Sequence, residues 1–173
     1  YSSNASVVAS CGMAFITAQQ KTGVAATAKH FPGLGSATKS QNTDAGPVTL
    51  DVSLSGLRAK DEAPYPVAIT AGVKLIMASW AVYPALDTGK PAGLSPAVIQ
   101  GELRARLGYQ GVTITDAIEA GALAAFDSYG QRAVLAAQAG MDLLLCSAQD
   151  PSEGQAVVTA LAGALDGGQL DPA

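Results

Sequence analysis

The sequence predicts an α/β protein in which short apolar strands alternate with helices and run parallel to one another. Four apolar runs have the length of buried strands, and segments with helical spacing lie before, between and after them. Strict alternation of this kind is typical of parallel strands covered by helices. The length of 173 residues fits a single domain, and a hydrophobic fraction of 49% is enough for a substantial core. The predicted strands are residues 24–28, 73–79, 111–115 and 141–146.

The first part of the chain contains one helix, one strand and a long irregular stretch. Residues 4–20 carry apolar side chains at helical spacing, and Gly23 separates this helix from the first strand. Residues 31–60 are dominated by Pro, Gly, Ser, Thr, Asn and Asp and show no sustained period. A loop of that length inside a compact domain is functional or disordered in most proteins. We therefore predict a long loop over residues 31–60 that is either functional or disordered.

Regular elements return after this loop. Ser95 and Pro96 form a strong helix start, with Ser as the cap and Pro at the first helical position. Gly108 stands where a glycine is expected just past the end of that helix, and Gly140 has the same place after the next one. The predicted helices lie near residues 65–69, over residues 96–107, near residues 129–139, and from residue 152 to the glycines at 167–168.

Two architectures fit this order of elements: an open doubly wound sheet and part of a (β/α)8 barrel. A complete barrel needs about 250 residues, and only about four strands are visible here. If the chain belongs to a barrel, it holds roughly the second half, and we expect residues 1–173 to form a single partial domain. In both architectures, chemistry gathers at the carboxyl ends of the strands. Those ends are expected at Lys29-His30, Ser79-Trp80, Asp116 and Ser147.

Composition and charge disfavour nucleic acid, a membrane span and zinc as binding partners or features of this chain. The ten Lys and Arg residues are scattered, and 14 Asp and Glu residues give a formal charge of -4, so no nucleic-acid footprint is visible. No apolar run approaches the roughly 20 residues of a membrane span, and the first residues show neither a charged leader nor an apolar signal core. The compartment stays open. One histidine and two cysteines suggest no zinc site, and Cys11 and Cys146 are either buried thiols or a single disulfide.

Two segments carry the candidate chemistry, and both belong to longer matches to one enzyme family. KHFPGLG at residues 29–35 places the only histidine beside a lysine, and GVTITD at residues 111–116 places an acid directly after an apolar strand. Together with residues 70–87, 93–123 and 133–145, these segments resemble the N-terminal (β/α)8 domain of family-3 glycoside hydrolases. The resemblance runs through most of the chain, and the combination in this order and spacing is highly specific.

The resemblance implies a role for the residues at the strand ends. Asp116 would be the catalytic nucleophile, and Lys29 and His30 would hydrogen-bond hydroxyl groups of the sugar in the glycone subsite. A carboxylate can trap an oxocarbenium-like centre as a glycosyl-enzyme intermediate, and Lys and His supply donors to the glycone. Trp80, after the second strand, would add an aromatic face to the sugar pocket, with core packing as the alternative. The resemblance implies no cofactor, and no metal site is expected.

The long loop departs from the family pattern. In bacterial β-N-acetylglucosaminidases of the family, a second histidine follows the FPG motif, and an Asp-Ser-His sequence supplies the proposed acid/base pair. Here Leu34 replaces the first of these histidines, and Asn42-Thr43-Asp44-Ala45 stands in place of the later motif. Asp44 aligns with the aspartate of the pair, but no histidine accompanies it. The acid/base is then Asp44, if loop closure desolvates it, or Glu119, or a residue outside this chain.

Two functions follow from the resemblance as expectations. The first is a retaining, exo-acting β-glycosidase that prefers β-N-acetylhexosaminides to β-glucosides and forms a covalent intermediate on Asp116. The second is a non-catalytic or impaired sugar-binding relative that has lost the acid/base histidine. A small doubly wound binding domain is disfavoured, because Gly33-Leu34-Gly35 is a poor phosphate loop. The expected partners are a carbohydrate and either the missing N-terminal half of the barrel or a second copy of the chain.

Overall fold

The fold is built on one four-stranded parallel sheet, seen in a computed structural model that describes residues 2–172. The strands lie side by side in chain order, so the first and the last form the edges of the sheet. Every pair of neighbours is parallel, which confirms the predicted α/β class. The strands are β1 (Thr27–Phe31), β2 (Leu75–Ala78), β3 (Val112–Ala117) and β4 (Leu143–Leu145).

The first strand begins three residues later than predicted. Lys29 pairs with Met77 of β2, and the strand continues to Phe31, whose side chain is fully buried. Val24, which the prediction placed in the strand, is exposed and lies outside it. Lys29 and His30 therefore lie inside β1 rather than after its end. Cis peptide bonds follow Lys29 and Phe31.

Capping residues set the bounds of the helices. The Asn4 side chain accepts the backbone N–H of Ser6 at the first helix, and Ser128 accepts that of Gln131 at a later one. Gly140 ends the later helix with φ near 98°, a conformation that glycine adopts without steric cost. The α-helices are α1 (Ala5–Lys21), α2 (Leu54–Gly56), α3 (Pro64–Thr70), α4 (Tyr129–Ala139) and α5 (Pro151–Asp166). Two segments are π-helices, Leu57–Asp61 and Ala97–Arg106, and two are short 3-10 helices, Ala92–Leu94 and Gly121–Leu123.

The loop predicted over residues 31–60 is shorter than expected, because the chain is helical from Leu54 to Asp61. Ser53 starts this helical segment by accepting the backbone N–H of Gly56, and Leu57 is fully buried beneath it. Only one leucine of this segment is buried, and Ser, Gly and charged residues surround it. The apolar residues therefore show no helical period, and the helix could not be predicted from the sequence. The irregular part of the loop ends near residue 53.

One face of the sheet is more open than the other. In β3, Thr113 is fully buried, whereas the preceding Val112 is 39% exposed and Ile114 is partly buried. The register sets Leu143 of β4 opposite Ile114, and Leu143 is also exposed. The register shifts between Ile114 and Ala117, but Thr115 is fully buried like Thr113 and Asp116 is partly exposed, so Asp116 faces the same open side as Val112 and Ile114. The candidate nucleophile therefore lies on the open face, at its carboxyl end.

The structure also describes the two cysteines and the character of the helices. Cys11 and Cys146 are both exposed free thiols, so no disulfide joins them. Across residues 2–172, no helix combines the length and the apolar character that crossing a bilayer requires.

Candidate active site

His30 and Asp116 meet at the carboxyl end of the sheet although a whole strand separates them. His30 lies in β1, Asp116 lies in β3, and β2 runs between, so the two backbones are about 10 Å apart. The side chains reach across this gap and bring His30 Nε2 to 3.3 Å from Asp116 Oδ2. They are 24% and 16% exposed, respectively, so a ligand can reach the pair while most of the surrounding water is excluded.

Lys29 lies on the same face as Asp116. It is exposed and pairs with Met77, which in turn pairs with Ile114, two residues before the carboxylate. The pKa of His30 is lowered from its ordinary value because burial outweighs the effect of the neighbouring carboxylate of Asp116. The charge of Lys29 lowers this pKa further, and that of Asp44 raises it. His30 is therefore neutral near pH 7, and a neutral imidazole donates one hydrogen bond and accepts another.

Trp80 lies beneath the carboxylate and is not open to a ligand. The side chain is 1% exposed, and its ring packs so closely on Gly93 that a Cβ there would lie 2.5 Å from the ring carbon Cζ3. Trp80 Nε1 donates to the backbone oxygen of Ala117 at 2.8 Å, and the Ala117 N–H donates to Asp116 Oδ1, also at 2.8 Å. The predicted stacking of Trp80 on a sugar is corrected, because both ring faces are inside the core. Trp80 instead holds Ala117, whose N–H donates to the carboxylate of Asp116.

The segment after His30 is wrapped around a buried carboxylate that the sequence did not single out. Gly33 and Gly35 cover Asp61 so tightly that an added Cβ at either would overlap it. Ser36 Oγ donates to Asp61 Oδ2 at 2.6 Å, and the Tyr83 hydroxyl donates to the backbone oxygen of Gly33 at 2.9 Å. In the sequence, the close spacing of Gly33 and Gly35 is the one feature that could have indicated that another group packs against this backbone.

Asp44 is exposed and is brought to the same end of the sheet by backbone contacts. Its N–H is held by the side-chain oxygen of Asn42 at 3.0 Å, and its carbonyl oxygen accepts the N–H of Gly121 at 2.9 Å. The charge of Asp44 raises the pKa of His30, so the two groups interact electrostatically. The loop residue and the strand-end residues predicted from the sequence therefore surround one region.

Glu119 points to a different set of partners. Ser147 Oγ donates to Glu119 Oε1 at 2.5 Å, and the Ser147 N–H donates to the other carboxylate oxygen at 3.5 Å. Burial alone would raise the pKa of Glu119, but the hydrogen bonds from Ser147 lower it overall. A carboxyl group held ionised in this way is a poor general acid near neutral pH. These hydrogen bonds disfavour Glu119 as the acid/base group.

Together these residues present a carboxylate with one oxygen fixed by the backbone, a neutral imidazole on its other oxygen, and a nearby ammonium group. Such a set offers a nucleophile and several hydrogen-bond donors for hydroxyl groups. Within residues 2–172, no group of three or more His, Cys, Asp or Glu side chains is arranged to hold a metal ion. This arrangement places the candidate chemistry where enzymes of the β/α class carry their active sites, at the carboxyl end of parallel strands.

Comparison with known proteins identifies the family. The N-terminal domain of glycosyl hydrolase family 3 matches residues 1–173, and the chain belongs to that family. An uncharacterized secreted glycosyl hydrolase of Arthroderma benhamiae is 54% identical over 170 residues, which make up 98% of this chain and 48% of the relative. A beta-hexosaminidase of Stenotrophomonas maltophilia is 35% identical over 146 residues, or 84% of this chain and 42% of the relative.

A solved structure supports the same assignment. The family 3 beta-N-acetylglucosaminidase of Paenibacillus sp. str. FPU-7 superposes with a TM-score of 0.91 at 36% identity, over 96% of this chain and 31% of that one. The family resemblance and the α/β architecture predicted from the motifs are confirmed. This chain spans about half the length of the curated relatives it matches.

Proposed function

We propose that this chain contributes the catalytic carboxylate of a retaining, exo-acting β-glycosidase that prefers β-N-acetylhexosaminides to β-glucosides. The contact of His30 Nε2 with Asp116 Oδ2 at 3.3 Å carries the proposal, because it joins a nucleophile to a sugar-binding donor. The substrate preference is supported by the names of two relatives, a beta-hexosaminidase and a beta-N-acetylglucosaminidase. Lys29 and His30 bind hydroxyl groups of the glycone.

The proposed reaction proceeds in two displacements. In the first, an oxygen of Asp116 bonds to the anomeric carbon, the glycosidic C–O bond breaks, and the departing oxygen receives a proton from the general acid. In the second, water attacks the same carbon, gives its proton to the now ionised acid/base group, and the bond to Asp116 breaks. The N–H of Ala117 orients the carboxylate by holding Oδ1. The neutral His30 can donate to Oδ2 in the free enzyme and to the sugar in the complex.

Asp44 is the proposed acid/base group. Its support is positional: it lies on the loop that faces the site and its charge acts on His30, whereas the carboxylate of Glu119 is hydrogen-bonded to Ser147. Asp44 is exposed in this structure, so the role requires a bound substrate to exclude water from it.

A second proposal concerns what surrounds the sheet. We infer that residues 1–173 are one partial catalytic domain and that either the N-terminal half of a barrel or a second copy of this chain covers the open face. The edge strands β1 and β4, together with the exposed Val112 and Leu143, support this. Such a partner would complete the sugar subsite.

The direct test compares hydrolysis of an aryl β-N-acetylglucosaminide and an aryl β-glucoside by the full-length protein. We expect turnover of the first to exceed that of the second, and Asp116→Asn to remove both. Asp166→Asn, which changes an exposed carboxylate at the end of α5, is the matched control and should leave both rates unchanged. Turnover of neither substrate by the unmodified protein would refute the proposal. A mechanism-based fluoro-sugar should label Asp116, and labelling of another residue would refute that assignment.

The second candidate function is sugar binding without catalysis. The observation that favours it is Leu34 in place of the family histidine, with no histidine beside Asp44. It predicts that calorimetry detects sugar binding while no substrate is hydrolysed. A substrate with an activated leaving group, such as a dinitrophenyl glycoside, needs little help from an acid, so its hydrolysis would exclude this candidate.

A further inference from the structure

The loop that carries Asp44 is docked, backbone to backbone, on the chain that follows β3. The N–H of Gly121 donates to the Asp44 oxygen at 2.9 Å, and the N–H of Ala122 donates to the Thr43 oxygen at 2.9 Å. These two adjacent bonds fix both the position and the direction of the loop backbone. Thr43 is buried between the exposed residues Asn42 and Asp44, so the loop backbone is packed in place here.

The docking depends on the absence of a side chain at position 121. A Cβ built on Gly121 would lie 2.7 Å from the carbonyl carbon and oxygen of Ala45 and 2.8 Å from the Asp44 oxygen. Distances below 3.0 Å are not tolerated by real Cβ atoms, and the obstructing atoms are backbone, so the loop would have to move. Gly121 is therefore required by close approach of two backbones.

The chain under the loop is itself held at both ends by one buried side chain. Arg132 of α4 is 8% exposed, and its guanidinium donates from Nη1 to the Ile118 oxygen at 3.0 Å and from Nε to the Phe126 oxygen at 2.8 Å. The guanidinium also lies over the ring of Tyr129, 5.3 Å from its centroid. Residues 118–126, which we call the platform, are thus fixed to a helix and begin two residues after Asp116.

We propose that the platform positions the acid/base group, with Gly121 as the positioning residue for Asp44. The inference rests on the proposed role of Asp44 and adds how that carboxyl is held relative to the nucleophile. Because Asp116 and Gly121 belong to one continuous segment, nucleophile and acid share a rigid support. Proton delivery to the leaving oxygen is sensitive to position, and a misplacement of about 1 Å costs about 10²-fold in rate.

The test measures kcat/KM of the full-length protein for two β-N-acetylhexosaminides, one with a poor alkyl leaving group and one with an activated dinitrophenyl group. Gly121→Ala should lower kcat/KM for the poor leaving group about 10- to 100-fold and change the activated one little, since only the former needs the acid. Gly46→Ala is the matched control: it adds the same methyl group in the Asp44 loop itself, two residues after Asp44, at a position where nothing lies within 4 Å of the added carbon. It should leave both values unchanged.

A double-mutant cycle with Asp44→Asn separates the two proposals. If Gly121 acts through Asp44, then Asp44→Asn shows the same leaving-group dependence, and adding Gly121→Ala to it has no further effect. Additive losses, or a loss from Gly121→Ala that is equal for both substrates, would overturn the positioning role and leave the acid assignment intact. An Asp44→Asn variant with no leaving-group dependence would overturn the acid assignment and the positioning role with it.

A second variant covers the case in which Gly121→Ala does not fold. Arg132→Lys keeps the charge and shortens the reach, so that one of the two backbone contacts of the platform is lost. With folding verified by circular dichroism, it should show the same selective loss for the poor leaving group, smaller than that of Asp44→Asn. An equal loss for both substrates would contradict the proposal.

Discussion

The orientation of the candidate nucleophile, Asp116, depends on Ala117, which is itself held by Trp80. Asp116 Oδ1 is held by the N–H of Ala117, and the carbonyl of the same alanine is held by the indole of Trp80. Trp80 is fully buried and its ring rests on Gly93, so it cannot rotate away. The carboxylate at the open face therefore has its orientation set from inside the core.

This arrangement predicts a selective effect of Trp80→Phe. Phenylalanine keeps a ring on Gly93 but removes the donor, which leaves the Ala117 oxygen without its partner and costs about 1–3 kcal/mol of stability. Because Ala117 is no longer pinned, kcat should fall more than KM rises. Urea denaturation and steady-state kinetics of the full-length protein check the two effects. An unchanged kcat in a variant with the expected loss of stability would show that Trp80 only packs.

The lowered pKa of His30 predicts how stability depends on pH. In the unfolded chain this pKa returns to about 6.5, so between the folded value and 6.5 the unfolded state binds more protons. Stability therefore rises with pH across that window and is lost as the pH falls below 6.5. Urea unfolding of the unmodified protein and of His30→Gln, from about pH 7.5 to about pH 5.5, tests this. The unmodified protein should lose more stability on acidification; parallel curves would contradict the prediction.

At the scale of elements, irregular segments that pack against helices and strands position the site residues. The segment after β1 encloses Asp61 at the end of the helical turn Leu57–Asp61, and Tyr83 holds it from the loop after β2. His30 lies in β1, two residues before that segment begins. The fit around Asp61 therefore bears directly on where the imidazole lies.

Gly33→Ala is predicted to break this fit. Gly33 has φ near 135°, which an L side chain rarely adopts, and its Cβ would lie 2.6 Å from the carbonyl carbon of Asp61. Both effects act on backbone that cannot yield easily, so the free energy of unfolding should fall by more than about 2 kcal/mol. Gly12→Ala, in the open interior of α1, is the control and should raise stability by about 0.5–1 kcal/mol. Denaturant titration measures the free energy of unfolding of both variants. An equal change in the two variants would contradict the prediction.

The sequence predicted the elements whose residues repeat with a period and missed those set by tertiary contacts. The alternation of strands and helices was readable, and the search for chemistry at strand ends singled out His30 and Asp116, whose side chains lie 3.3 Å apart; the roles of these residues stay a proposal. The bounds of β1 depend on pairing with β2, which a single segment does not encode. The burial of Trp80 was equally hidden, since a tryptophan after a strand is compatible with either a pocket wall or the core.

The molecule as a whole has one covered face and one open face, and the site lies on the open one. Val112 and Leu143 are 39% and 46% exposed on the side that Asp116 faces, and β1 and β4 each pair on one side within residues 2–172. Exposed apolar side chains beside unpaired edges favour association with another chain or segment. The barrel half or second copy that we propose to cover this face would contribute further side chains to the glycone subsite.

The last prediction follows from that open face. The 173-residue chain produced alone should self-associate and should bind an N-acetylhexosamine much more weakly than the full-length protein does, because part of the subsite is missing. Replacing Val112 and Leu143 by lysine should reduce self-association, since charges on an exposed strand oppose edge and face pairing. Val158→Lys, on the outer surface of α5 where a valine is 61% exposed, is the matched control and should change association little. Light scattering and calorimetry measure the two quantities. A monomeric chain that binds the sugar as tightly as the full-length protein would show that the open face needs no cover.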